Sequence, residues 1–270
     1  MPELAEVEFY RRIWNQGLGQ RVSGVDLHGA KRIFRGIDPD ELRLALVGSV
    51  MEESFRHGKQ MLFRFSRGWA GIHLGMTGEL RAEPDGFVPG KHDHLVLRLT
   101  DRSLVFADHR LFGRVLFHPD QTAPTWWTAL PQDIETAGLN PELVATVLKR
   151  RKRAPIKAVL LMQAFFPGIG NWMADEILWR SRMHPATVSG SISAVGIKKL
   201  SRQIAAVVTT ALETIATARG PDFGEPPPGW LFHERWGKNG TCPRCRTKLH
   251  RDQIGGRTTA WCPRCQPSPR

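Results

Sequence analysis

Two cysteine pairs near the end of this 270-residue chain constrain its fold more than any other feature. Each pair is a C-x2-C motif, Cys242 with Cys245 and Cys262 with Cys265, and sixteen residues separate the two motifs. This spacing lets two short knuckles present four thiolates tetrahedrally to one zinc ion. Because four cysteines leave no open coordination position for water, we expect one structural Zn2+ and a zinc finger over residues 230–270.

The segment between the two motifs is predicted to form a hairpin. Such a module cannot build a core of its own, so metal binding is expected to supply its folding energy. Gly255, Gly256 and Arg257 lie where the hairpin tip is expected, among several other basic residues. Either this is a solvated basic face or the tip reaches a phosphate.

The charge balance points to a polyanionic partner. Lys+Arg 38 against Asp+Glu 26 gives a formal net charge of +12, which favours nucleic acid over other partners. A protein that is merely basic is the alternative. No apolar run is long enough for a membrane span and no secretory leader opens the chain, so we expect no membrane association and a cytoplasmic location.

Hydrophobic periodicity predicts an α+β protein. Pro2 suits the first position of an N-terminal helix. Alternating segments then predict an antiparallel β-sandwich domain over residues 1–118, with strands at residues 60–65, 72–74, 95–99, 103–106 and 114–117. A proline-rich linker at 119–132 precedes a helical domain at 133–229, with helices at residues 141–150, 155–165, 171–182 and 193–218.

A glycine-rich turn at residues 167–170 joins two of these helices, with Asn171 as the predicted N-cap of the second. Glycines let a backbone approach a phosphate, and a helix N-terminus offers N–H groups to it. Steric reasons alone also produce such turns. The basic run at residues 149–153 is either a solvated face or part of the same phosphate seat.

Pro2 becomes the N-terminal amine once Met1 is cleaved. A free α-amino group has a pKa near 8, so about a tenth of it is unprotonated at pH 7, far more than for an ordinary lysine. Pro2 is therefore a candidate nucleophile toward a sugar carbon. Helix initiation is an equally simple explanation of this residue.

Together these motifs resemble the formamidopyrimidine-DNA glycosylase and endonuclease VIII family over nearly the whole chain. The resemblance is carried, in the family's order, by the residues 2–8, 58–59, 73–78, 91–94, 108–114, 168–171 and 174–178, and by the cysteine motifs with Gly256 and Arg257. It implies a helix-two-turn-helix domain between the sandwich and the zinc finger.

The resemblance implies a bifunctional DNA glycosylase and abasic-site lyase that excises oxidised bases from duplex DNA and nicks it by β,δ-elimination. Pro2 would form an iminium with the anomeric carbon, and Glu3 would act as acid at the sugar ring. Lys59 would assist β-elimination and Arg257 δ-elimination. The implied DNA contacts are His92, Arg110, Lys152 and Asn171, and the implied fillers of the gap left by a flipped base are Met76, Arg110 and Phe112.

The implied partner is duplex DNA with a damaged base or abasic site, bound by a monomer associated with the nucleoid. Two departures from the family pattern leave the lesion open. Leu111 stands where the family usually has a second arginine, and the segment at 220–228 is short and proline-rich.

Three alternatives concern single residues or the whole function. Met76 and Phe112 could be core residues, and His92 with His94 could form a metal pair. The chain could be a non-catalytic DNA-binding paralogue that recognises damage or structure. It could also be a zinc-ribbon factor for RNA or transcription, which would prefer single strands or RNA.

Overall fold

The computed structural model describes residues 1–134, 140–220 and 222–268. The chain forms two compact units, one of Met1–Leu130 with Ala216–Phe223, the other of Pro131–Ile215 with Gly224–Arg270. Among the described helices, none is long and apolar enough to cross a membrane. The boundaries at residues 118 and 132 stay predictions.

The first unit begins with helix α1 (Leu4–Trp14), whose N-cap is Glu3. Glu3 and Glu6 form a reciprocal capping box, in which the Glu6 carboxylate accepts the Glu3 N–H at 3.2 Å. The prediction that Pro2 occupies the first helical position is therefore wrong. The two glutamates set the start of the helix, and Pro2 precedes it.

Two four-stranded antiparallel sheets form the body of the first unit, in the orders β1-β6-β7-β5 and β2-β3-β4-β8. Trp14 of α1 packs against Phe63, with ring centroids 5.0 Å apart, in the buried core of this unit. The strands are β1 (Gly24–Leu27), β2 (Met51–His57), β3 (Gln60–Phe65), β4 (Gly68–His73), β5 (Gly78–Pro84), β6 (Asp93–Arg98), β7 (Arg102–Asp108) and β8 (Arg114–His118). The predicted antiparallel architecture is confirmed.

Sequence periodicity missed β1, β2, β5 and helix α2 (Pro39–Leu46). The α2 start has a clear signal, because Asp38 caps the N–H groups of Asp40 and Glu41 and Pro39 follows the cap. Helix α3 (Thr125–Thr128) lies within the predicted linker. Its Trp126 covers Gly71 of β4, where an added Cβ would lie 2.4 Å from the ring.

The second unit is mainly helical. It contains α4 (Pro141–Arg150), α5 (Ile156–Leu160), α6 (Asn171–Ser181), α7 (Ala194–Thr214), α8 (Leu231–Glu234) and the hairpin of β9 (His250–Ile254) with β10 (Arg257–Trp261). The helix predicted for residues 155–165 ends at Leu160, and the one predicted for 193–218 ends at Thr214. The chain turns after α5 instead of continuing the helix. The Gln163 amide holds this turn, because it donates to Ile169 O and accepts the Gly168 N–H.

Candidate functional site

The start of α1 holds two of the predicted catalytic residues. Pro2 is half-buried and Glu3 is 3% exposed. Further along the helix, the Glu8 carboxylate is 2.7 Å from both Arg11 and Arg12 and 3.4 Å from Arg56 of β2. Burial disfavours the charge on Glu8, but these arginines outweigh it and lower its pKa. The pair with Arg56 fixes α1 to the sheet that bears Lys59.

Lys59 lies in the two-residue turn between β2 and β3, where Gly58 has a φ of +55°. Burial lowers the pKa of His73, and the nearby charges of Lys59 and Arg35 lower it further. The His73 imidazole accepts the Gly75 N–H at 3.0 Å through Nδ1. A neutral histidine thus lies near two cations, an arrangement suited to an anionic group such as a phosphate.

Asp108, fully buried at the end of β7, holds the two loops that carry Met76, Arg110 and Phe112. One carboxylate oxygen accepts from Thr77 at 2.7 Å and from the Arg110 N–H at 3.1 Å, and the other accepts the Gly113 N–H at 2.7 Å. Sequence reasoning alone did not assign Asp108 to the site. The signal was its position as the acidic first residue of the motif at 108–114.

The loop at 109–113 presents an aromatic side chain to solvent. Phe112 is 40% exposed, and the Arg110 guanidinium lies 4.9 Å from its ring centroid. Leu111 adopts a φ of +57°, which is rare for a bulky residue and is typical of functional loops. Met76 is half-buried on the neighbouring loop. Phe112 is therefore a surface residue and not part of the core.

His92 and His94 have separate partners. The His92 ring lies 4.1 Å from that of His109, whereas the His94 Nδ1 lies 3.2 Å from the Nδ1 of His28. A register shift at the start of β6 breaks the strand alternation that the metal-pair alternative assumed. In the part of the chain that the structure describes, the four cysteines are the one group of three or more side chains arranged to hold a metal.

In the second unit, Asn171 and the hairpin tip come together. Asn171 is the first residue of α6 and Gly170 is the N-cap, so the predicted capping role of Asn171 is wrong. The Asn171 amide instead donates to Thr258 O of β10 at 2.9 Å, because the hairpin supplies an acceptor across 87 residues of sequence. Thr258 is the direct neighbour of Arg257.

The predicted hairpin tip is confirmed. Ile254 pairs with Arg257 across the turn, and Gly255 and Gly256 have φ values of +65° and +73°, as a type I′ turn requires. An added Cβ on Gly255 would lie 3.0 Å from Ala158 of α5. The tip thus rests on the helical domain while Arg257 stays exposed. Lys152, in the exposed basic run at 149–153, lies in the same unit.

A buried ionic triad that the sequence did not reveal links these elements. Asp175 of α6 pairs with Lys157 of α5 and, at 2.7 Å, with Arg235. Their side chains are 0%, 0% and 4% exposed. The Asp175 carboxylate also accepts the Ala260 N–H of β10 at 3.2 Å, and Lys157 donates to Asn171 O at 2.9 Å. The triad therefore ties both helices to the hairpin.

The four cysteine sulfurs lie within 4.8 Å of one another. Sγ distances of 3.4 Å for Cys245 to Cys262, 3.5 Å for Cys245 to Cys265 and 3.9 Å for Cys242 to Cys265 fit a tetrahedron whose edge is about 3.8 Å when each sulfur is about 2.3 Å from zinc. The Trp179 indole N–H donates to the Cys242 sulfur at 3.3 Å. The donor set fits one structural zinc ion.

Three family models match successive parts of the chain. They are the formamidopyrimidine-DNA glycosylase N-terminal domain over residues 1–115, the formamidopyrimidine-DNA glycosylase H2TH domain over 130–220, and the zinc finger found in FPG and IleRS over 240–267. The zinc-finger match and the cysteine geometry establish a structural zinc site.

Curated relatives and solved structures agree with these models. The formamidopyrimidine-DNA glycosylase of Geobacter sulfurreducens is 36% identical over 280 residues, covering 98% of this chain and 100% of the relative. The Lactococcus lactis Fpg (MutM) bound to DNA with an oxidized pyrimidine superposes with a TM-score of 0.85 at 26% identity, covering 99% of this chain and 100% of that one. The same enzyme with N7-benzyl-Fapy-dG DNA gives a TM-score of 0.84.

Proposed function

This chain belongs to the formamidopyrimidine-DNA glycosylase family, and from that premise we propose that Pro2, freed by removal of Met1, is its catalytic nucleophile. The protein is a DNA glycosylase of base excision repair with abasic-site lyase activity. The observation that carries the proposal is the position of Pro2 and Glu3 at the N-terminal end of α1, within the matched N-terminal domain.

In the proposed reaction the Pro2 amine attacks the anomeric carbon of the damaged nucleotide, the base leaves, and a covalent iminium remains. Glu3 acts as acid at the sugar ring, and Lys59 assists β-elimination. Arg257 assists δ-elimination and grips a phosphate. The ion pair of Glu8 with Arg56 supports this assignment, because it holds the nucleophile-bearing helix against the sheet that supplies Lys59.

The DNA contacts follow from the same premise. Asn171 donates to Thr258, the residue after Arg257, and both Asn171 and Arg257 are proposed to bind backbone phosphates. Lys152 and His92 are proposed as further contacts. Phe112, Arg110 and Met76 are proposed to fill the space left by the flipped base. The exposure of Phe112 supports that role.

Borohydride trapping on a duplex with an abasic site tests the nucleophile. We would compare one preparation before and after proteolytic removal of an N-terminal extension, because the extension keeps the Pro2 nitrogen in a peptide bond. A covalent adduct should form only after removal of the extension. An adduct that forms equally with the extension in place would rule out Pro2.

The protein binds DNA, and the finer partner assignment is also a proposal. We propose a substrate of duplex DNA with an oxidised base or an abasic site, bound by a monomer in the cytoplasm. Base release and nicking scored separately on duplexes with defined opposing bases would identify the lesion. Tight duplex binding without base release on any lesion would instead indicate a non-catalytic paralogue.

A further inference from the structure

A cluster of cations lies on the zinc finger and the adjacent helices, outside the site described above. We call it the distal basic patch: Arg182, which follows α6, Lys199 of α7, and Arg244 and Arg264 of the two zinc knuckles. The three arginines are exposed. They line an open pocket of about 710 Å³, together with Cys245, Cys265 and Pro267. Four cations thus converge at one place in the second unit.

Acidic partners do not neutralise this patch. The ion pairs in the described part of the second unit use other cations, namely Lys157, Arg180, His233 and Arg235. Within residues 1–134, 140–220 and 222–268, no carboxylate pairs with a patch residue. Burial lowers the pKa of Lys199, and the charges of Arg182 and Arg244 lower it further, so the cations of the patch repel one another.

The patch lies apart from Asn171 and Arg257, two of the proposed DNA contacts in the second unit. Arg182 directly follows α6, whose 11 residues start at Asn171, so about 16 Å of helix separate the two ends. Along β10, Arg257 at the tip and Cys262 at the base are separated by about 17 Å of extended chain. A single phosphate bound at Asn171 or Arg257 therefore does not contact the patch as well.

The negative charge of the zinc site does not neutralise the positive charge of the distal basic patch. Four thiolates and one Zn2+ carry a net charge of about −2, and the patch alone supplies four positive charges. Arg244 is held in place by the ring of Trp179, 4.3 Å from its guanidinium, whereas Arg182 and Arg264 are exposed at the rim. An excess of positive charge faces solvent.

We propose that the distal basic patch binds the phosphate backbone of a second DNA segment while the first segment occupies the lesion site. Guanidinium groups match phosphate geometry in a bidentate way, and three of the four cations are arginines. Trp179 is 5% exposed, so its ring is not available to stack on bases. The patch therefore binds phosphates without recognising the base sequence, and it suits duplex DNA better than a single strand.

The test uses the full-length, zinc-loaded protein saturated with unlabelled duplex that contains a stable abasic-site analogue. A fluorescently labelled undamaged duplex is then titrated in, and its anisotropy is followed between 50 and 200 mM salt. In Arg182→Ala/Arg264→Ala, the magnitude of the slope of log affinity against log salt should fall by about 1.8. The loss of affinity should therefore be about 12-fold greater at 50 mM than at 200 mM. Nicking of lesion duplex should stay unchanged.

Arg43→Ala/Arg64→Ala, which removes two arginines from the first unit, is the matched control and should bind the second duplex normally. Lys199→Ala lies outside the knuckles and should lower the slope by about 1 with its zinc retained. Unchanged second-duplex binding in both patch variants would overturn the proposal. Equal weakening of lesion-duplex binding, or competition by polyglutamate but not by undamaged duplex, would overturn it as well.

Discussion

Replacing Asp175 with alanine should destabilise the second unit strongly. The carboxylate is fully buried and pairs with both Lys157 and Arg235, whose side chains are 0% and 4% exposed. Asp175→Ala removes the carboxylate with which both of these buried cations pair. The Ala260 N–H of β10, which Asp175 accepts at 3.2 Å, also loses its acceptor.

Removing one partner of a buried ion pair costs about 3–5 kcal/mol, and we expect a loss of this size in the free energy of unfolding of the second unit. At roughly 3 °C per kcal/mol, the transition should fall by roughly 10–15 °C. The apolar triple variant Lys157→Met/Asp175→Leu/Arg235→Met should cost less than the single change, because it leaves no charge buried.

Scanning calorimetry of the zinc-loaded protein measures the transition, and hydrogen exchange of peptides from α6 and β10 locates it. Exchange should rise in both elements together, since Asp175 joins them. A cost of less than about 1 kcal/mol for Asp175→Ala, or a triple variant as unstable as the single one, would refute the reasoning.

Three further predictions concern α1, the exposed loop and the zinc site. The pKa of Glu8 is lowered in the folded protein, so the stabilising effect of its charge should be present above pH 4.5 and be lost as pH falls through the lowered pKa. In Glu8→Gln, the free energy of unfolding, measured with urea, should therefore depend less on pH in the acid range. Phe112→Ala should cut single-turnover base release from duplex DNA roughly 5- to 150-fold, as the loss of about 1–3 kcal/mol of stacking implies, while thermal melting changes little because Phe112 is 40% exposed. Cys242→Ser should release zinc, measured by a chelating dye, and lose hairpin protection in hydrogen exchange, whereas retained zinc would contradict the four-thiolate site.

Local sequence signals determined several parts of this protein. The two C-x2-C motifs define the zinc site because knuckle geometry needs only a few consecutive residues. Gly255 and Gly256 predict the hairpin tip because a type I′ turn requires positive φ at both positions. Strand alternation likewise predicts the antiparallel sandwich, since one face of each strand must be buried.

Tertiary structure alone decided the groups that join distant parts of the chain. Asp175 meets Lys157 and Arg235 only after α5, α6 and the residue that follows α8 have packed together. A carboxylate in the middle of a helical pattern does not indicate which cations it will pair with. Asparagine is a residue type favoured at N-caps, but the Asn171 amide donates to Thr258 instead. Periodicity and capping rules describe neighbours within about one turn of the backbone, whereas buried charges are satisfied by whichever partner the fold brings within hydrogen-bonding distance.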